Sequence, residues 1–150
     1  MRYNKPTDES NLFVLDQRLA NDSLRLGAFE LCDVRLFNDS RYDWLMLVPR
    51  VPLAVEWLDL SELEQQQLGR ELKHVSQCLK HWQPNAKLNV GALGNVVAQL
   101  HVHLLLRSPD DPAWPGPVWG HSPAVAYSAE EAAVQCEFWQ RRLGLLVDQD

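Results

Sequence analysis

Apolar and polar residues alternate over Cys32-Asp33-Val34-Arg35-Leu36-Phe37. A period of two sends one set of side chains into a core and the other into water, so this segment predicts a strand. Asn38-Asp39-Ser40 supplies turn chemistry. The continuous apolar run Trp44 to Val48, stopped by Pro49, predicts a second strand, antiparallel to the first because the connection is too short for a crossover. The period then changes. Leu68, Leu72, Val75, Leu79 and Trp82 recur at steps of four and three behind the capping box Ser61-x-x-Glu64. They predict an amphipathic helix of about six turns whose stripe packs on a sheet, ended by Pro84-Asn85. Lys87 to Gly91 predicts a third strand, and Val96 through Arg107, after the short loop Ala92 to Asn95, a fourth. Ser128 and Glu131 open a second helix with Ala132, Cys136, Trp139 and Leu143 on one face and Gly144 as its C-cap. Upstream, Leu12, Leu15 and Leu19 predict a short helix within Asn11 to Ala20.

Strands with short connections, a long helix, more strands and a last helix predict an α+β domain built on an antiparallel sheet. No βαβ alternation with a GxGxxG turn is present. The 150 residues read as one domain. The segment from Ser108 to Tyr127 holds Pro109, Pro112, Pro115, Pro117 and Pro123 with Trp114 and Trp119, so it reads as a stiff, irregular loop.

A hydrophobic fraction of 46% and a charged fraction of 23% suit a soluble globular chain. The formal net charge of -6 argues against a broad nucleic-acid surface but leaves room for a small anionic ligand at a local cluster. Cys32, Cys78 and Cys136 are scattered and unpaired in sequence, which reads as buried thiols in a reducing cytoplasm. Met1 to Pro6 is polar, with no signal-peptide core, and no run is long enough to span a membrane.

The candidate chemistry lies in Gln99-Leu100-His101-Val102-His103-Leu104-Leu105. On a strand, Gln99, His101 and His103 share one face, about 7 Å apart per two-residue step, while Leu100, Val102 and Leu104 face a core. A neutral imidazole is a competent nucleophile toward phosphorus near neutral pH, and a neighbouring imidazole can donate to a phosphate oxygen. The turn Gly91-Ala92-Leu93-Gly94-Asn95 precedes the pair, and its glycines let backbone N–H groups approach an anion. Two other readings stand beside this one. The histidines are ordinary hydrogen-bonded residues of a half-solvated sheet, or they bind zinc, for which the remaining histidines and cysteines offer no ligand spacing.

The stretch Asn89-Val90-Gly91-Ala92-Leu93-Gly94-Asn95-Val96-Val97-Ala98-Gln99-Leu100-His101-Val102-His103-Leu104 resembles the signature of the histidine triad (HIT) family, N-x-G-x-x-x-G-Q/S-x-V-x-H-φ-H-φ-H-φφ with φ apolar. Phe37-Asn38-Asp39 and Leu45 through Arg50 resemble the family's upstream "ND" and "LVIPK" strands, and Leu58 through Ser61 the start of its long helix. The likeness covers about residues 30 to 107, with the Pro/Trp-rich loop and last helix (108 to 144) outside it. It implies an antiparallel sheet of about five strands packed with a long helix, and a homodimer. It further implies a nucleotide-binding hydrolase or transferase that cleaves at the α-phosphate of a nucleoside monophosphate conjugate (a dinucleoside polyphosphate or a nucleoside phosphoramidate) through a nucleotidyl-histidine. His101 would be the nucleophile and His103 a phosphate contact. Asn38 would lie near the ribose, and Asn89, Gly91, Gly94, Asn95 and Val97 along the phosphate side. No cofactor or metal is implied, although a phosphate substrate could bring Mg²⁺. Nucleic-acid polymers and membranes are not expected partners.

Two positions depart from the pattern. Gln99, counted with His101 and His103 as a catalytic residue that would orient the nucleophile, stands where the first triad histidine is expected; an amide can hydrogen-bond but cannot titrate, so it suffices if that position only orients His101, and turnover falls if that position relays a proton. Asp43-Trp44 stands where the family often has a histidine before the "LVIPK" strand. These departures raise an alternative: a non-catalytic nucleotide-binding or interaction module. Arg107 reads either as a phosphate partner or as an ordinary surface arginine. The Trp114–Trp119 loop reads as a base-stacking element, a cap on the sheet, or a dimer contact.

Overall fold

The computed structural model describes residues 12–145. Met1 to Pro6 and the first residue of the predicted Asn11–Ala20 helix lie outside them. In chain order the elements are α1 (Gln17–Asn21), β1 (Ser23–Ala28), β2 (Cys32–Phe37), β3 (Trp44–Pro49), a short 3₁₀ turn (Trp57–Asp59), α2 (Glu62–Trp82), β4 (Lys87–Gly91), β5 (Val102–Arg107) and α3 (Ala129–Leu143). The five strands form one antiparallel sheet in the order β1-β2-β3-β5-β4. The expected α+β architecture is therefore the one observed.

Both long helices begin where their capping boxes stand. Ser61 accepts from the Glu64 N–H while Glu64 accepts from the Ser61 N–H, and Ser128 and Glu131 repeat the exchange. Each box satisfies two N–H groups that a helix start otherwise leaves bare. Gly144, at φ 72°, closes α3 in the left-handed region that glycine enters without strain.

The pleat of the two central strands divides the molecule. Leu45 and Leu47 of β3 and Val102, Leu104 and Leu106 of β5 join Val34, Leu36, Leu68, Val75, Leu79 and Trp139 in the main core, under α2 and α3. The opposite face carries Trp44, Met46 and Val48 from β3 and His103, Leu105 and Arg107 from β5. Every residue of both strands is buried, which explains why Trp44 to Val48 reads as a continuous apolar run and not an alternating one.

Two expectations need correction, and one strand was not expected. The segment Val96 to Arg107 is a strand only from Val102. The pairings with β3 end at Leu47↔Val102 and those with β4 at Gly91↔His103. Beyond that point the ladder has no partner, and the Leu100 N–H instead donates to the Ala54 carbonyl. The predicted N-terminal helix holds only over Gln17–Asn21; Asp16 caps it by accepting from the Arg18 N–H. Strand β1 carries no sequence expectation at all. Its alternation is short and is broken by a bulge between Arg25 and Gly27.

Candidate active site

The face of the sheet away from the helices opens into a cavity of about 500 Å³. Strands β2, β3 and β5 supply Phe37, Trp44 and His103; the loop before β5 supplies Gly94, Asn95, Val97 and His101. Leu19 and Asp22 at the end of α1, Asp39 and Arg41 in the β2–β3 turn, and Val118 and Trp119 complete the wall.

His101 and His103 lie side by side, ring centroids 4.9 Å apart and planes at 77°. They are 7% and 6% exposed, so each ring is oriented by what it bonds. His101 Nδ1 lies 2.6 Å from the carbonyl oxygen of Gln99. A carbonyl only accepts, so Nδ1 carries a proton, and the tautomer this contact selects has its lone pair on Nε2. His103 Nδ1 lies 2.9 Å from Trp44 Nε1. An indole N–H only donates, so this Nδ1 is the acceptor and the proton sits on Nε2. The neighbouring imidazoles are thus held in opposite tautomers, one presenting a lone pair and the other an N–H. Burial, with a smaller contribution from His101, pushes the His103 pKa down to about 3, so the ring stays neutral.

Asp39 and Arg41 form a two-pronged pair on the rim, Nε to Oδ1 at 2.9 Å and Nη2 to Oδ2 at 2.8 Å. Burial opposes ionisation of Asp39, yet the Arg41 bonds hold its carboxyl below the ordinary range. Arg41 also donates to Ser122 and to the Pro123 carbonyl, tying the rim to the loop after β5.

A family model described as HIT domain matches residues 18–110. The chain belongs to the HIT domain family. Among solved structures, a histidine triad protein from Marinobacter aquaeolei VT8 shares 43% identity over 91% of this chain and 99% of its own, with a TM-score of 0.86. One from Bradyrhizobium japonicum shares 41% over 89% and 97%, TM-score 0.81. One from Sinorhizobium meliloti 1021 shares 40% over 90% and 97%, TM-score 0.80. No curated protein matches the chain.

Within this HIT domain the site residues expected from sequence separate into two groups. His101, His103, Gly94, Asn95 and Val97 line the cavity. Gly94, at φ 68°, holds the left-handed turn that brings the loop back toward β5. Gln99, Asn38, Asn89 and Gly91 do not line it. Because the strand starts at Val102, Gln99 is free of the pleat and its side chain points elsewhere: the amide accepts from the Asp16 N–H at 2.8 Å and donates to the Val14 carbonyl at 2.8 Å. The shared-face reading therefore holds for the two histidines and fails for Gln99. The Asn38 side-chain Oδ1 accepts from the Tyr127 N–H, and the Asn89 Oδ1 from Arg107. Gly91 faces the Trp119 ring, which a Cβ would meet at 3.1 Å.

Arg107 is neither a surface residue nor a free cation. Only 2% exposed, it grips Asp111 at 2.7 and 3.0 Å and donates to Gly116 at 2.8 Å. Asp111 in turn accepts from the Ser108 and Ala113 N–H groups. This knot pins the Pro/Trp-rich loop, whose Trp119 sits against His103 with centroids 5.7 Å apart. Sequence reasoning missed Trp44 as the partner of His103, along with Asp22, Arg41 and Leu19 on the cavity wall. The signal for Trp44 was present: it shares the β3 face with Met46, the residue paired with His103. Among the described residues, no group of three or more His, Cys, Asp or Glu side chains converges as a metal site.

Proposed function

We propose that this HIT domain is a nucleotidyl hydrolase or transferase acting on the α-phosphate of a nucleoside monophosphate conjugate, either a dinucleoside polyphosphate or a nucleoside phosphoramidate. The observation that carries the reading is the pair of opposite tautomers at the cavity. His101 Nε2, with its lone pair, attacks phosphorus and takes the nucleotidyl group; the His103 Nε2–H donates to a non-bridging phosphate oxygen as charge accumulates there. The Gln99 carbonyl orients the nucleophile and stabilises the cation that the imidazole becomes on phosphorylation. Gly94, Asn95 and Val97 border the phosphate, and the aromatic side of the cavity, Phe37 and Trp119, takes the nucleoside. The chain works as a homodimer in the cytoplasm, and Mg²⁺ enters only with the substrate.

The test is hydrolysis of a panel of diadenosine polyphosphates and adenosine phosphoramidates by wild type and His101→Ala in parallel. Turnover by wild type that disappears in the variant supports the reading; equal rates overturn it. Nucleotide binding without turnover by either protein selects the non-catalytic module instead.

A further inference from the structure

Trp44 and His103 are diagonal neighbours on one face of the sheet, because β3 and β5 pair as Trp44↔Leu105 and Met46↔His103. The indole has little freedom to leave. It is 4% exposed, stacked on Phe37 at 4.0 Å and 23°, and met edge-on by Tyr42 at 6.0 Å and Trp119 at 6.4 Å. Its N–H has one acceptor, His103 Nδ1 at 2.9 Å. Were His103 protonated on Nδ1, two N–H donors would face each other in a closed site, leaving both unsatisfied.

We propose that Trp44 is a positioning residue: its indole N–H fixes His103 as the Nε2–H tautomer, so that His103 meets the phosphoryl group as a neutral hydrogen-bond donor and not as an acid. This rests on the function proposed above. The surroundings of His103 agree. The rings packed on it are Phe37 from β2, Trp44 from β3, His101 from the preceding loop and Trp119 from the loop after β5. His101 is the one titratable group among them. The charged groups on the cavity wall, Asp22, Asp39 and Arg41, form no hydrogen bond to the ring, and Asp39 is spent on Arg41. Among the described residues, nothing in contact with the ring stabilises an imidazolium.

The reaction then balances without a proton from His103. The His101 Nε2 lone pair forms the P–N bond while the bond from phosphorus to the leaving group breaks. A leaving phosphate departs as an anion with the electron pair. Water next attacks phosphorus, the P–N pair returns to Nε2, and the water's proton passes to solvent. His101 keeps its Nδ1 proton throughout. A leaving amine, which needs an added proton, takes it from solvent, so cleavage of a phosphoramidate slows as pH rises while that of an anhydride does not.

The test is the long-range ¹H–¹⁵N spectrum of the full chain, with the histidines assigned through His101→Ala and His103→Gln. Between about pH 5 and 8, His103 is expected to keep an unprotonated Nδ1 and a protonated Nε2. Trp44→Phe removes the donor and keeps an aromatic ring. It should let His103 sample both tautomers and lower kcat about 10- to 100-fold with little change in KM. Replacing Trp44 by benzothienylalanine, which exchanges only the indole N–H for sulfur, should do the same and guards against a misfolded Phe variant. An Nδ1–H tautomer in the wild type, or protonation of His103 within that window, overturns the proposal. So does an unchanged spectrum with unchanged kcat in the benzothienylalanine protein. Because the spectrum needs no substrate, it decides the role of Trp44 even if no nucleotide is turned over.

Discussion

His101 and His103 are separated by one residue, yet they are held by different kinds of structure. His103 belongs to β5. Its position follows from the ladder with β3 and β4, and its ring is locked by an indole on the neighbouring strand. His101 lies one residue before the ladder, in a segment fixed by single contacts: Leu100 N–H to Ala54, Arg18 to the Val96 carbonyl, and Gln99 to residues 14 and 16. The group proposed to donate a hydrogen bond sits in the half held by a ladder on both sides, the more rigid one, and the group proposed to form a bond to phosphorus sits in the half held by single contacts, the more adjustable one. A nucleophile has to follow phosphorus through the reaction, whereas a donor performs best when it does not move.

Four measurements would break or sharpen this contrast. The largest effect is expected for His101→Ala, which should lower kcat/KM on the order of a thousandfold or more, while His103→Gln, which keeps a donor amide, should lose less. Next is the knot behind the rigid half. Arg107→Ala leaves Asp111 buried without its partner and should cost about 3–5 kcal/mol in urea unfolding. Asp111→Ala should cost about as much, and the double variant less than the sum. A double variant that matches the sum would show that the pair is not a unit.

Third is pH. The folded-state pKa of His103 is pushed down to about 3, well below the ordinary value of 6.5. Between those values the unfolded chain binds the proton and the folded one does not. Stability is therefore lost as pH falls through this window, by about 1.4 kcal/mol per pH unit at the steepest, and is fully present above it. His103→Gln should flatten that slope in unfolding curves between about pH 7 and 4. Equal slopes would mean that the ring is not kept neutral by burial. The smallest effect belongs to the adjustable half. Gln99→Ala removes two hydrogen bonds to the segment before α1 and should cost about 1–2 kcal/mol, raising KM more than it lowers kcat. Gln99→His should not increase kcat, since the side chain at that position faces away from the cavity and the Gln99 backbone carbonyl already orients His101; a gain would mean that a titratable side chain at this position relays a proton.

Much of the fold was legible in the residue order because it depends on local rules. Capping boxes placed the starts of α2 and α3 within a residue, and the apolar stripe of α2 marked its buried face. β1 was not legible. Alternation over so few residues, interrupted by a bulge, carries little periodic signal, and the strand exists because β2 offers it an edge. At the site, the spacing of His101 and His103 in sequence was sufficient to pair them. Gln99 shows the limit: the same alternation rule placed it beside them, and it failed because alternation persists only while a neighbouring strand supplies the ladder.

Arg107 and Trp44 mark the same boundary from the other side. As single letters they read as a strand-end arginine and an aromatic in an apolar run. Only the packed sheet turns the first into the clasp of a loop and the second into the donor that sets a tautomer. Residue types and their local periods determined the helices, the central strands, the HIT signature and the choice of two imidazoles near a glycine turn, because those features arise from interactions within a few residues. The tertiary structure decided where the last strand begins, which way Gln99 points and which nitrogen of each histidine carries the proton, because each depends on an acceptor or donor brought in from a distant part of the chain.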